Sequence, residues 1–139
     1  MEGSQGSSAE WALKKGEEYL ESASGNIKAG RLFPAAEEIF RVVETLLEAM
    51  LYHFGIKEIE YPGTKKPFTG RLALQFLVRD NLLHRGRLSR EVYGRYMTMA
   101  TELHLAGYTP ERMFELKELQ ENLEFAEDFL IKVKAMVRR

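Results

Sequence analysis

The sequence predicts an all-α protein, an up-and-down helical bundle of four main helices plus one shorter helix. Apolar residues recur every three to four positions through most of the chain, which is the period of an amphipathic helix. The 139 residues include only four prolines and are rich in Leu, Ala, Glu, Lys and Arg, all of which favour helices. No segment requires a strand.

Length and composition restrict the class of protein. A chain of 139 residues and 16.0 kDa has the size of one domain with one core. Its 45% hydrophobic and 29% charged residues are typical of a soluble globular protein. The absence of cysteine excludes disulfides, thiolate metal sites and cysteine nucleophiles. We expect a cytoplasmic protein, since the N-terminus lacks the features of a secretory signal.

The first helix is predicted to start at Ser7, whose hydroxyl can form an S-x-x-E capping box with Glu10. Residues 1–8 are predicted to be a flexible tail, and residues 9–139 the helical bundle. Small residues dominate the apolar stripe of this helix, so it can lie close to a neighbouring helix. The stripe consists of Ala12, Gly16, Tyr19, Leu20, Ala23 and Ile27.

The second helix, about residues 33–54, is the most apolar segment of the chain. Phe40, Leu47 and Leu51 widen its apolar stripe beyond what a monomer core requires. We therefore expect this helix both at the centre of the bundle and in the interface of a homodimer. Gly55 follows it, where a glycine commonly ends a helix.

Residues 56–67 are predicted to be a loop, because the turn sequence Tyr61-Pro-Gly-Thr64 interrupts them. The third helix follows from Thr69 to about His84. Helical spacing predicts a core-facing stripe of Leu72, Phe76 and Leu83.

The last two helices have clear start signals. Ser89 is expected to cap the fourth helix, which ends at Gly107. The fifth is predicted to start at Thr109-Pro110-Glu111, which combines a hydroxyl cap, a proline at the first helical position and an acid near the positive helix end. Its inward-facing residues are predicted to be Met113, Leu116, Leu123, Ala126, Leu130, Val133 and Val137.

The net charge of −1 conceals two oppositely charged segments. Residues 65–95 contain eight basic and two acidic residues, whereas residues 111–128 contain seven acidic and two basic residues. This polarity indicates either a positive face that binds an anionic partner or two surfaces that pair between subunits.

Several kinds of site lack the residues that they need. The three histidines form no H-x-x-x-H or E-x-x-H pair, so no single helix face can chelate a metal. Neither glycine-rich phosphate-loop pattern occurs, and serines are confined almost entirely to the tail and turns. We predict no metal, no cofactor and no serine triad.

Arg79 and His84 are the candidate catalytic pair. An arginine can hold a scissile RNA phosphate, while a histidine moves the proton of the 2′-hydroxyl. On a continuous α-helix, however, residues five apart differ by about 140° around the axis. The two side chains converge only if the helix breaks between them or a second subunit supplies a copy. The structural alternative is that Arg79 pairs with an acid and His84 ends a helix.

The turn His84-Arg85-Gly86-Arg87-Leu88-Ser89-Arg90 has two interpretations. It is either a solvated cluster of charges or a phosphate-binding site. In the second case, arginine side chains and the free N–H groups of the Ser89-capped helix would bind the anion together.

The whole pattern resembles the HEPN superfamily of nucleotide-binding helical domains, over roughly Trp11 to Val137. The resemblance is carried by three helical stretches. They are Ala35-Ala-Glu-Glu-Ile-Phe-Arg-Val-Val-Glu-Thr-Leu-Leu-Glu-Ala-Met50, Leu103-His-Leu-Ala-Gly-Tyr108 and Leu123-Glu-Phe-Ala-Glu-Asp-Phe-Leu-Ile-Lys-Val-Lys134.

The resemblance implies a helical bundle, a homodimer and one of two roles. Many HEPN proteins are metal-independent ribonucleases of toxin–antitoxin and related systems, with an arginine and a histidine, separated by four to six intervening residues, in a cleft across the dimer. Others are partners of a minimal nucleotidyltransferase. In small members the polar motif lies just before the last helix. Here Tyr108 matches this motif, but no arginine precedes it there, and the Arg79–His84 pair lies one helix earlier.

We therefore expect a non-catalytic HEPN-like homodimer that binds a nucleotide, RNA or a minimal nucleotidyltransferase. The alternative is a metal-independent endoribonuclease that uses Arg79 and His84. The expected binding residues are Arg79, His84, Arg85, Arg87, Arg90 and Tyr108.

Overall fold

Helices make up most of the part of the chain that the structure describes, so the predicted all-α class is confirmed. The computed structural model describes residues 2–56, 58–61, 64–67 and 70–138. Within these ranges the α-helices are α1 (Glu2–Lys28), α2 (Leu32–His53), α3 (Gly70–Val78), α4 (Arg90–Met99) and α5 (Leu116–Val137). A π-helical turn continues α3 over Arg79–Leu83, and a second continues α4 over Ala100–His104, followed by a 3-10 turn over Leu105–Tyr108.

Helix α2 lies at the centre and contacts α1, α3, α4, α5 and both π-turns. Its high apolar content is explained by this position. Phe40, Leu47 and Leu51 are fully buried within the single chain. The prediction that these three side chains form a subunit interface is therefore wrong, because the neighbouring helices already cover them.

Helix α1 packs closely along α2, as its small residues predict. Ala12 and Ala23 are completely buried, and a Cβ built on Gly16 would lie 3.0 Å from Thr45 Oγ1 and 3.2 Å from Leu46 Cδ2. The helix starts at Glu2 rather than at Ser7, so residues 2–8 have a helical backbone where a tail was predicted. Once a helix is nucleated, each added residue gains a backbone hydrogen bond.

A two-stranded antiparallel hairpin replaces the predicted loop between α2 and α3. Strand β1 (Glu58–Tyr61) pairs with β2 (Thr64–Pro67), with Glu58 opposite Pro67 and Tyr61 opposite Thr64. Four-residue strands are too short for the alternation of apolar and polar residues to identify them. Pro62 and Gly63 of the predicted turn lie outside the described residues.

The third helix buries a different face from the one predicted. Leu72 and Phe76 are 63% and 43% exposed, and the buried side chains are instead Leu74, Leu77, Val78 and, in the π-turn, Leu82. Arg71 explains this rotation. It pairs with two glutamates on α2, so the residues three and seven positions later face α2 with it. The predicted first residue, Thr69, lies outside the described residues.

Helix α4 starts where predicted, since the Ser89 hydroxyl accepts from the Val92 N–H at 3.1 Å. Helix α5 does not start at Thr109-Pro110-Glu111 but at Leu116, where Glu115 and Glu118 form the capping box. Phe114 is buried and contacts Phe33, which holds the preceding segment outside the helix. Met113, predicted to face inward, is 69% exposed.

None of the helices in these described ranges combines the length and the hydropathy needed to cross a membrane.

Candidate functional site

A basic groove lies between the first π-turn and the start of α4. Its volume is about 930 Å³. The groove is lined by Leu83, His84, Gly86, Arg87, Leu88, Ser89, Arg90 and Tyr93. Three of the six predicted binding residues, His84, Arg87 and Arg90, therefore share one concave surface. Gly86 has a φ of 71°, in the left-handed region that glycine adopts readily, and lets the chain turn from one helix to the next.

The π-turn determines how Arg79 and His84 are related. The backbone N–H of His84 donates to the carbonyl oxygen of Arg79 at 2.9 Å, which is the i to i+5 bond of π-helical winding. This wider turn brings position 84 back above position 79. The separation expected for a continuous α-helix does not occur, because α-helical winding ends at Val78.

Asp80 lies between the side chains of these two residues. Its carboxylate accepts from Arg79 Nε at 2.8 Å and from Arg79 Nη2 at 3.4 Å, and its Oδ1 is 3.8 Å from His84 Nδ1. The hydrogen bond from Arg79, together with the charges of Arg79 and His84, lowers the pKa of Asp80. Arg79 therefore has an acidic partner, and His84 directly follows the helical turn. Both agree with the structural interpretation of this pair, in which Arg79 pairs with an acid and His84 ends a helix.

The other arginines of the turn differ in their surroundings. The Arg87 guanidinium lies over the ring of Phe54, 4.1 Å from its centroid, which orients it at the groove. Arg90 is the first residue of α4, where the helix dipole favours an anion. Arg85 is exposed but does not line the groove.

The two tyrosines have unequal relations to the groove. Tyr93 lines it, and this residue was not predicted. Arg79 does not line the groove, but it pairs with Asp80, whose carboxylate is 3.8 Å from the groove residue His84, and the hydrogen bond and charge of Asp80 raise the pKa of Arg79. Tyr108 does not line the groove. Its ring instead contacts His104, at 5.4 Å between centroids and in an edge-to-face arrangement.

A second polar cluster joins α2, α3 and the second π-turn. Arg71 donates from Nε to Glu44 at 2.9 Å and from Nη2 to Glu37 at 3.0 Å, and its Nη1 is 3.2 Å from His104 Nε2. His104 Nδ1 is 2.9 Å from the Glu37 carboxylate. A guanidinium has only donors, so His104 Nε2 accepts and Nδ1 carries the proton that it donates to Glu37.

This cluster, the Arg71–His104 network, is largely shielded from solvent. The side chain of His104 is 13% exposed and that of Glu44 is 10% exposed. Burial raises the pKa of Glu44 above its ordinary value, although Arg71 acts in the opposite direction. The ring of His104 also stacks on Phe40 at 5.5 Å. Because three of the Arg71 nitrogens already have partners within the chain, the network acts as a structural connection between elements.

Tyr96 packs next to this network without a hydrogen bond. Its ring stacks on Phe40 at 6.2 Å, and among the described residues its hydroxyl is the buried side-chain group that has no partner. Burial, followed by the charge of Glu44, raises the pKa of Tyr96. No group of three or more histidine, aspartate or glutamate side chains in the described ranges is arranged to hold a metal ion.

A comparison with family models matches residues 12–130 to the archaeal PaREP1/PaREP8 family. The chain belongs to this family. The matched range includes every residue that lines the groove and every residue of the Arg71–His104 network. Comparison with curated proteins and with solved structures gave no match.

In this PaREP1/PaREP8 protein, sequence reasoning located the groove but missed the network. The groove residues all lie between positions 83 and 93, so a short window of sequence contains them. Glu37, Glu44, Arg71 and His104 come from three separate elements, and no local pattern connects them. The sequence contained only a weak signal for the network. Glu37 and Glu44 lie on the same face of α2, beside an otherwise apolar surface.

Proposed function

We propose that this PaREP1/PaREP8 protein is a homodimer that binds RNA or a nucleotide through the phosphate groups, with the basic groove as its binding site. The observation that carries the proposal is the convergence of His84, Arg87 and Arg90 on one groove in a chain whose net charge is −1. Guanidinium groups bind phosphate in a two-pronged geometry, and Tyr93 offers an aromatic face on which a base can stack. The resemblance to HEPN proteins supports the same class of ligand.

The proposed contacts are to phosphates, so binding should be strongly salt-dependent and weakly sequence-dependent. If three phosphates of single-stranded RNA are neutralised, the logarithm of the association constant should fall with the logarithm of salt concentration with a slope of about −2. Fluorescence anisotropy of a labelled single-stranded RNA measures this slope directly.

A pair of double variants separates the groove from general charge effects. Arg87→Ala with Arg90→Ala removes two groove cations and should reduce the steepness of the slope by about 1.4. Lys14→Ala with Lys28→Ala removes the same charge from exposed positions of α1 and should leave binding nearly unchanged. Equal losses in both variants, or no RNA or nucleotide binding by the native protein at low salt, would contradict the proposal. The second result would favour docking of a protein such as a minimal nucleotidyltransferase.

The proposed dimer requires a surface other than α2. Helix α3 offers one, because Leu72 and Phe76 are large apolar side chains one helical turn apart and both are substantially exposed. Arg79 and Asp80 connect this stripe to the groove. The Arg79 guanidinium lies over the Phe76 ring, 5.0 Å from its centroid, and Asp80, the ion-pair partner of Arg79, is 3.8 Å from the groove residue His84. A contact between two copies of this stripe would bring the two grooves towards each other.

A second candidate function is metal-independent RNA cleavage by Arg79 and His84. The π-turn favours it, because it removes the angular separation that an α-helix would impose on the two side chains. In this role Arg79 would stabilise charge on the scissile phosphate and His84 would move the proton of the 2′-hydroxyl. Cleavage that persists in the presence of a chelator would distinguish this function from binding alone.

A further inference from the structure

The carboxylate of Asp80 lies between the side chains of Arg79 and His84, and His84 lines the groove of the proposed site. It accepts two hydrogen bonds from the Arg79 guanidinium, at 2.8 and 3.4 Å, and lies 3.8 Å from His84 Nδ1. The guanidinium and the imidazole thus both face an anion that belongs to the chain itself.

The geometry of the turn makes this arrangement local. Arg79 and Asp80 are adjacent in sequence, and the π-helical bond from His84 N–H to the Arg79 carbonyl fixes the third residue above them. The same turn therefore brings together the guanidinium, the imidazole and the carboxylate that lies between them. None of the three is held by burial, since their side chains are 43%, 53% and 61% exposed.

We infer that Asp80 is a built-in competitor of phosphate, which masks Arg79 and thereby sets the affinity of the groove for its ligand. This inference rests on the proposed function. A phosphate that enters the groove can gain Arg79 only by displacing the carboxylate. The exchange is accessible because exposed ion pairs contribute little free energy and rearrange without unfolding.

Asp80 and Glu91, another acid near the groove, differ in their contacts. Neither lines the groove, but Asp80 pairs with Arg79 and approaches His84, whereas among the described residues no ion pair joins Glu91, in the first turn of α4, to either of them. Removing either negative charge lessens general repulsion of RNA. Only removal of the Asp80 charge also releases Arg79.

The test measures binding of a labelled single-stranded RNA at low salt to four variants: Asp80→Asn, Glu91→Gln, Arg79→Ala and the Asp80→Asn, Arg79→Ala double variant. Asp80→Asn should bind about three- to fivefold more tightly than the native protein, which is the upper part of the range expected for loss of one exposed ion pair. Glu91→Gln has the same change in charge and should differ from the native protein by less than twofold.

The double variant distinguishes the masking of Arg79 by Asp80 from the general repulsion between the Asp80 charge and RNA. If Asp80 masks Arg79, the gain from Asp80→Asn should shrink to that of Glu91→Gln when Arg79 is absent. An undiminished gain without Arg79 would overturn the inference, as would unchanged or weaker binding by Asp80→Asn, which would make Asp80 a positioning residue. These outcomes all require that RNA binds. Absence of binding in every variant is a different result and overturns the proposed function itself.

Discussion

Arg71 and His104 lie 33 residues apart in sequence, yet their side chains meet at 3.2 Å between Nη1 and Nε2. The contact fixes which imidazole nitrogen carries the proton, because a guanidinium can only donate. It also connects the start of α3 to the end of the second π-turn, and Glu37 on α2 completes the connection. The position of α3, and hence of Arg79 beyond it, depends on this network.

Replacement of His104 should therefore destabilise the fold. His104→Ala removes the acceptor for Arg71, the donor to Glu37 and the stacking on Phe40, and we expect a loss of about 1–3 kcal/mol. Urea denaturation measures the change. The control is His53→Ala, an exposed histidine at the end of α2, which should change stability by less than about 0.5 kcal/mol. Equal effects of the two variants would show that the network contributes little.

The stability of the protein should depend on pH through Glu44. Burial raises the pKa of this carboxyl in the folded state. Because the pKa of Glu44 is then higher in the folded than in the unfolded state, the protonated carboxyl stabilises the folded protein at low pH. This stabilisation is lost as pH rises through the folded-state pKa. A glutamine side chain has no proton to lose, so the Glu44→Gln variant does not lose stability in this way. The free energy of unfolding of the variant should therefore rise, relative to that of the native protein, from acidic to neutral pH. Urea midpoints across that range test this, and a constant or falling difference would contradict it.

Two glycines of α1 should respond oppositely to alanine. Gly25 has nothing within 4 Å of a built Cβ, so Gly25→Ala should stabilise the protein by about 0.5–1 kcal/mol through helix propensity. Gly16→Ala should be destabilising, because its Cβ would lie 3.0 Å from Thr45 Oγ1. That hydroxyl is held by bonds to the carbonyls of Arg41 and Val42 and cannot move away easily. Thermal denaturation of both variants compares them, and a stabilised Gly16→Ala would show that the α1–α2 contact is adaptable.

Substitutions at Phe40 and Phe76 should affect different properties: the stability of the fold in the first case and dimer assembly in the second. Phe40 is fully buried and contacts His104 and Tyr96, so Phe40→Ala should cost about 3–5 kcal/mol. Phe76→Ser, on the exposed stripe of α3, should leave stability almost unchanged and shift the proposed dimer towards monomer. Light scattering at several concentrations measures the second effect. A native protein that is monomeric throughout would contradict the proposed dimer.

If the second candidate function is correct, the native protein should cleave single-stranded RNA in the presence of a chelator. Arg79→Ala and His84→Ala should each reduce the rate at least about a hundredfold, since each removes a different contribution to one chemical step. His53→Ala is the matched control and should retain most of the activity, because His53 is an exposed histidine that does not line the groove. Activity that survives His84→Ala would exclude this site.

The sequence predicted those features that depend on neighbouring residues. The all-α class, the span of α2 and the Ser89 cap follow from local spacing and capping chemistry. The start of α5 could not be predicted in the same way. Thr109-Pro110-Glu111 has every local feature of a helix start, but Phe114 is buried against Phe33, which is distant in sequence, and the helix begins only after it.

The candidate site was predictable to a similar extent. His84, Arg87 and Arg90 were predicted because they lie in one short turn. Tyr108 was included on a resemblance and instead contacts His104. The convergence of Arg79 and His84 depends on π-helical winding, which the residue pattern of 79–83 does not distinguish from α-helical winding.

The π-turn at Arg79–Leu83 also has a consequence for the phase of the chain. A π-turn holds one residue more than the α-turn that it replaces, so it is equivalent, in helical terms, to a single inserted amino acid. If the same residues wound as a regular α-helix, with none removed, everything that follows would be rotated by about 100° relative to α3. The groove would then face another direction. The winding of this short segment therefore determines the direction in which the groove opens.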